Sequence, residues 1–207
     1  MNFIIKTTSS ELQRARGWWR ELELQWKMAY NEVVFESGPT AEPPHDDQLM
    51  LLLLNIDTLR FAGPLAMHPN VTTPLTNLSG LIPLYHLRFL SVSDMALSGV
   101  TELVRHTELR HLFLHNNRIT SLKGIEGATH LESLFVQHNR LTSLAPVAGL
   151  TRLHTLYATH NHLTSLAGLT EGHADRLRHF HILPNDHLPH REIIRLQNGA
   201  GILCRTG

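Results

Sequence analysis

An eleven-residue phrase is written three times at a fixed interval, and that interval limits the possible folds more than any other feature of the chain. Residues 109–119 read LRHLFLHNNRI, residues 131–141 read LESLFVQHNRL, and residues 153–163 read LHTLYATHNHL. Two looser copies flank them. LRFLSVSDMAL starts at Leu87, with Met95 where the others have asparagine, and LRHFHILPNDHL starts at Leu177 after a two-residue expansion around Glu171 to Ala174. The first letter is leucine at 87, 109, 131 and 153, a step of 22. The fourth and sixth letters are always apolar, and the ninth is Asn117, Asn139, Asn161 and, in the last copy, Asn185. Between phrases the apolar residues step by three, as in Leu141, Leu144, Val147, Leu150 and Leu153.

The alternation around the fourth and sixth letters asks for a short strand with those two side chains on one face. A tail of period three suits 3₁₀ or extended turns, whose every third side chain faces inward. An asparagine amide at the turn can bond backbone groups of adjacent coils that burial would otherwise leave unpaired. A coil of 22 residues cannot bury its own apolar face, so coils must stack.

The pattern L-x-x-L-x-L-x-x-N-x-L resembles the leucine-rich repeat family over about residues 75–190. The 22-residue length and the period-three tail look most like the short class found in internalins and in a regulatory subunit of protein phosphatase one. The resemblance implies an α/β leucine-rich repeat solenoid. Its concave side is a parallel β-sheet of about five or six strands, its convex side is 3₁₀ or extended, and it carries a helical N-terminal cap and a short C-terminal cap. The expected division is 1–57 for the helical cap, 58–188 for the repeats and 189–207 for the C-terminal cap.

Both ends are read from local signals. Ser10 to Gln13 reads as a capping box. Leu12, Ala15, Trp19, Leu22, Trp26, Ala29, Tyr30 and Val33 then follow helical spacing, which predicts one helix over 11–36, stopped before Gly38-Pro39. Its aromatic stripe reads as core against the first coil, with Trp18 beside the stripe as a candidate second partner surface. A second helix is expected near 47–55, capped by Asp46 or Asp47. The first coil is incomplete, with TLRFAG at 58–63 as the candidate strand. The tail reads as a helix near 189–198 and a short strand, with a hairpin turn at Asn198-Gly199 as the alternative.

Packing fixes the buried letters. Letters three, five, seven and eight of each phrase face the concave side and are open to another purpose. Letter five runs Ser91, Phe113, Phe135, Tyr157 and His181. Letter three includes Phe89 and His111, letter seven His115 and Gln137, and letter eight His138 and His160. Neighbouring strands lie ~4.8 Å apart, so each series is a ladder of adjacent side chains. Aromatic residues on a face that the fold does not require to be apolar mark an interface. The expected function is non-catalytic protein–protein interaction, adaptor or regulatory, with a protein partner on Phe89, His111, Phe113, His115, Phe135, Gln137, His138, Tyr157, His160 and His181. One alternative is a metal- or small-ligand-binding protein using the clustered histidines. The other is a structural module that packs against itself in an oligomer.

Composition narrows the remaining classes. Eighteen basic residues balance eighteen acidic ones, and Glu132 interrupts the arginines at one edge of the strand face, so nucleic acid is not the expected partner. Sixteen histidines are many, and a pH-sensitive surface follows if they charge together near pH ~6. No carboxylate or cysteine completes a metal set beside His115, His138 and His160, so no metal or other cofactor is expected. There is no Gly-x-x-x-x-Gly-Lys and no Gly-x-Ser-x-Gly, and the single cysteine, Cys204, has no convincing base, so no enzyme activity is expected. MNFIIKTTSS is too short for a secretion signal, and LMLLLL at 49–54 is too short for a membrane helix. A cytoplasmic protein off the membrane is the expectation.

Overall fold

The computed structural model describes residues 8–207. Three helices come first: α1 (Ser9–Glu21), α2 (Leu24–Val33) and α3 (Asp46–Leu54). Seven strands follow in one parallel sheet, ordered as in the sequence. They are β1 (Thr58–Ala62), β2 (Phe89–Ser93), β3 (His111–Phe113), β4 (Ser133–Phe135), β5 (Thr155–Tyr157), β6 (His179–Leu183) and β7 (Arg205–Thr206). The connections carry 3₁₀ turns at Ser79–Leu81, Thr101–Arg105 and Ala145–Val147, and the short helix α4 (Glu171–Ala174). Helix α5 (His190–Arg195) runs on as a π turn, Leu196–Ala200, before β7.

The strand register makes the repeat physical. Leu59, Leu90, Leu112, Leu134, Leu156 and Phe180 pair in sequence, one per coil, to form a single inward row. Every member is at most 3% exposed, and the tail leucines that step by three are buried against them in one continuous core. At about 1.5–3 kcal/mol per buried leucine, this row and its neighbours are the main force holding the coils together.

Asparagine at letter nine ties each coil to the one before. The Asn139 amide nitrogen donates to Leu114 O (2.8 Å) and Val136 O (3.1 Å), and its oxygen accepts from Ile119 N (2.9 Å). Asn117 and Asn161 make the equivalent bonds one coil to either side. Asn185 donates to Ala158 O (2.9 Å) and accepts from Asn161 N (3.1 Å). In the copy that lacks asparagine, the Met95 sulfur takes over the acceptor's role. It lies 3.3 Å from Leu75 N, the same twenty-residue reach back that the asparagine oxygens make.

Several expectations change in detail. The sheet has seven strands rather than five or six: the candidate strand at 58–63 forms as β1, and the short strand of the tail also joins the sheet, as β7 beside β6. Thr58 pairs with Phe89, a longer step than in the inner coils, and the extra chain is the loop 63–70. Asn70 ties that loop down by accepting from Ala62 N (2.7 Å) and donating to Arg60 O (2.9 Å). The tail takes the helix-then-strand form.

The single helix expected over 11–36 is two helices, broken where Leu22 and Glu23 turn extended (ψ 139° and 149°). At the break Glu23 reaches the first coil, accepting from Asn77 Nδ2 (3.0 Å) and Ser79 Oγ (2.9 Å). Those bonds hold its carboxyl below the usual range. The cap of α1 is Thr8, in a reciprocal box with Glu11, not Ser10. The cap of α3 is His45, because Asp46 is the first helical residue and is paired with Arg16. The aromatic stripe is core as read. Trp26 and Tyr30 are fully buried, 5.4 and 5.8 Å from Phe61, and the Tyr30 hydroxyl donates to Gly80 O (2.8 Å). Gly80 is required there, since a Cβ would sit 2.2 Å from the Trp26 ring.

Candidate functional site

Letter five forms a continuous stack of rings along the outer face of the sheet. Phe113 and Phe135 lie 4.5 Å apart with planes 8° from parallel, Phe135 and Tyr157 4.9 Å and 13°, and Tyr157 and His181 4.3 Å and 12°. Phe89, from letter three of the preceding coil, joins at 5.3 Å from Phe113 with a 33° tilt. All five rings are half-buried. His181 is anchored at the far end by a 2.6 Å bond between Nδ1 and Thr206 O on β7. Because the ring faces press on one another, a visitor to this ridge meets mostly ring edges. Edges carry the positive end of the aromatic quadrupole. The ridge therefore suits apolar groups and acceptor oxygens better than cations.

Beside the ridge, letter seven runs Ser93, His115, Gln137 and Thr159. Ser93 and Thr159 are buried, while His115 and Gln137 are half-buried. Burial lowers the His115 pKa more than the facing Asp94 carboxylate, 4.0 Å away, raises it, so the imidazole is neutral at physiological pH. His111 sits at the other side of the ridge, its ring 6.2 Å from Phe89.

Letter eight corrects the expectation that outward letters are unconstrained. Asp94, Asn116, His138 and His160 all have left-handed backbone, with φ between 53° and 57°. Most side chains resist that conformation, and Asn, Asp and His are the non-glycine residues enriched in it. The series Asp, Asn, His, His is thus the mark of a backbone demand at the strand's end, and the letters themselves carried that signal. His138 and His160 are exposed and stack 4.4 Å apart at 8°. Burial, and then the neighbouring His160, lower the His138 pKa.

Two further histidines are structural. His106 replaces a leucine at the inward period-three position and bonds Leu81 O at 3.1 Å; His173 bonds Val147 O at 3.2 Å. Among the described residues, no three His, Cys, Asp or Glu side chains are grouped so as to hold a metal ion. Burial pushes the Cys204 thiol up to about 11, which leaves almost no thiolate at neutral pH. Among the described residues no helix is long and apolar enough to cross a membrane.

Sequence reasoning missed one feature of this face, at its N-terminal end. In register with letter five, Arg60 and Ser91 stand where rings stand in the inner coils, beside Ala62 and Ser93 at letter seven. Between them and the loop 63–70 lies a hollow of about 320 Å³. The signal was hidden because β1 follows no copy of the repeated phrase.

One parallel strand per coil, an inward leucine row and an asparagine ladder define a solenoid of leucine-rich repeats. The family model described as Leucine Rich repeats (2 copies) matches residues 107–149 and 129–171. The match thus covers residues 107–171, and the coils on either side of that stretch continue the same fold. No curated protein matches it. Among solved structures, a leucine-rich repeat protein from Leptospira interrogans aligns over 96% of this chain and 52% of its own, at 21% identity and a TM-score of 0.56, a likeness of fold. An internalin from Listeria monocytogenes aligns over 58% of this chain and 48% of its own, at 20% identity and a TM-score of 0.35. The ectodomain of the receptor kinase SOBIR1 from Arabidopsis thaliana aligns over 57% and 64%, at 16% identity and a TM-score of 0.44. The chain thus spans about half the length of the Leptospira protein.

Proposed function

We propose that this chain is a non-catalytic interaction module, adaptor or regulatory, that holds a protein partner on the concave ridge of rings. The carrying observation is the five-ring column Phe89, Phe113, Phe135, Tyr157 and His181, half-exposed on a face whose packing needs are already met from the other side of the sheet. His111, His115, Gln137, His138 and His160 flank the column as polar contacts. Large rigid rings ringed by polar groups are the usual composition of an interface centre. Repeat solenoids commonly serve as binding scaffolds, which supports the same reading.

Affinity capture from native lysate tests it, with wild type beside Phe113→Ala/Phe135→Ala/Tyr157→Ala. Circular dichroism first establishes that the variant is folded. A protein retained by the wild type and lost by the folded variant is the expected result. An unchanged set of retained proteins would sink the reading, and a wild type that runs as an oligomer broken by the same variant would favour self-association instead.

A further inference from the structure

The ring column stops short of the N-terminal end of the concave face. At β2 its place is taken by Ser91, and at β1 by Arg60. Ser91 and Ser93 are each 6% exposed, so they form a floor rather than a rim. Phe89 and Phe113 wall the 320 Å³ hollow above them, and Met67 closes it from the loop side. That volume lies at the lower end of the range for ligand-sized sites, ~300–1,000 Å³.

Two charged groups line the hollow, Arg60 and Asp94, and they differ in how they are held. Among the described residues Arg60 makes no ion pair or hydrogen bond through its side chain. The acid beside it, Asp94, is engaged: it accepts from Asn116 Nδ2 at 2.8 Å and faces His115. The group with its donors unengaged is therefore the guanidinium, which favours a carboxylate in a two-pronged bond.

The loop adds an apolar component. It is pinned at both ends, by Gly63 N donating to Ser93 O (2.9 Å) and by Asn70 N and Val71 N donating to Ala62 O (3.0 and 3.1 Å). Gly63 permits this, since a Cβ there would lie 1.9 Å from Asp94 O. Yet Leu65 and Met67, at its tip, are each 90% exposed. A tethered loop that holds two apolar side chains in water beside a hollow is arranged for contact, and a methionine sulfur packs well against rings.

We infer that this hollow is an anchor subsite for an aromatic side chain with an adjacent carboxylate. The ring enters between Phe89, Phe113 and Met67, and the carboxylate meets Arg60. The inference rests on the concave-face reading above and names the chemistry of one contact within it.

The test is an NMR titration of the full chain with N-acetylphenylalanine and, separately, N-acetylphenylalaninamide. The acid should bind with a Kd on the order of 1 mM, as befits so small a ligand, with shifts centred on Arg60, Met67, Ser91 and Ser93. The amide should bind about fivefold or more weakly, for want of the charge-assisted bond. Arg60→Gln, at an exposed position, should reduce the acid to the affinity of the amide. Ser91→Phe, which extends the column into the hollow, should abolish binding of both. Equal affinity for acid and amide, shifts elsewhere, no saturable shift, or binding that survives both variants would overturn the subsite. Those failures are separate from failure of the wider reading, which partner capture by Phe135→Ala/Tyr157→Ala decides, since neither residue lines the hollow.

Discussion

Phe113 and Phe135 stack at 4.5 Å in column five of the concave face, and His138 and His160 stack at 4.4 Å in column eight, with the same 8° between planes. The side chains look alike, but the backbone beneath them differs. The two histidines sit at φ 56° and 53°, where the coil turns away from its strand, and the two phenylalanines sit in ordinary strand. Column eight is filled by residues that tolerate a left-handed backbone. Nothing in the packing requires column five to be aromatic. A residue repeated on the outside of a solenoid is therefore not by itself a sign of binding. Repetition points to binding only after the demands of the backbone have been subtracted.

The strongest way to break that contrast is one column further in. Asn139→Ala leaves Ile119 N unpartnered in the core and takes from Leu114 O and Val136 O one of the two amide donors each has, and should cost about 3 kcal/mol in urea unfolding. Next comes column eight itself. His138→Val places a β-branched residue in the left-handed region and should cost about 2 kcal/mol, whereas His138→Asn should be nearly neutral. Equal stability of the two variants would remove the backbone explanation of the histidines. Phe135→Thr forfeits two ring contacts on a strand that suits threonine, and should cost only about 1 kcal/mol.

The smallest effect is in pH. His106, His115 and His138 all have folded-state pKa values lowered chiefly by burial. Below the unfolded value of ~6.5 the unfolded chain then binds more protons than the folded one, so stability falls with pH from there down to the folded values. Lowering the pH from 7.5 to 5.5, above the carboxylate range, should therefore lower Tm. His106→Leu, which restores the usual inward residue, should flatten that slope.

Much of this was legible in the letters because each coil repeats its solution. The step of 22 gave the strand rows, the period-three tail gave the inward side chains, and asparagine at letter nine gave the ladder. The parts that were not legible occur once. Glu23 breaks the first helix because it bonds Asn77 and Ser79, more than fifty residues away, and no local pattern records that contact. Strand β1 was legible as the candidate at 58–63, but its coil holds no copy of the phrase, so neither its register nor the loop 63–70 could be read. The hollow at Ser91 hides with it, since it is the absence of a ring in one coil that makes room. Met95 was legible as a departure, but its sulfur's stand-in for the asparagine oxygen was not.

The central claim, that the ring column is where the partner sits, is tested most directly by site-specific photo-crosslinking in native lysate. A benzophenone amino acid would be placed at Gln137, beside the column, or at the exposed Lys123, midway along the connection between β3 and β4. The account predicts a discrete crosslinked product from position 137 that Phe135→Thr removes, and none from position 123. A product from position 123 alone, or one from 137 that is indifferent to Phe135→Thr, would contradict it.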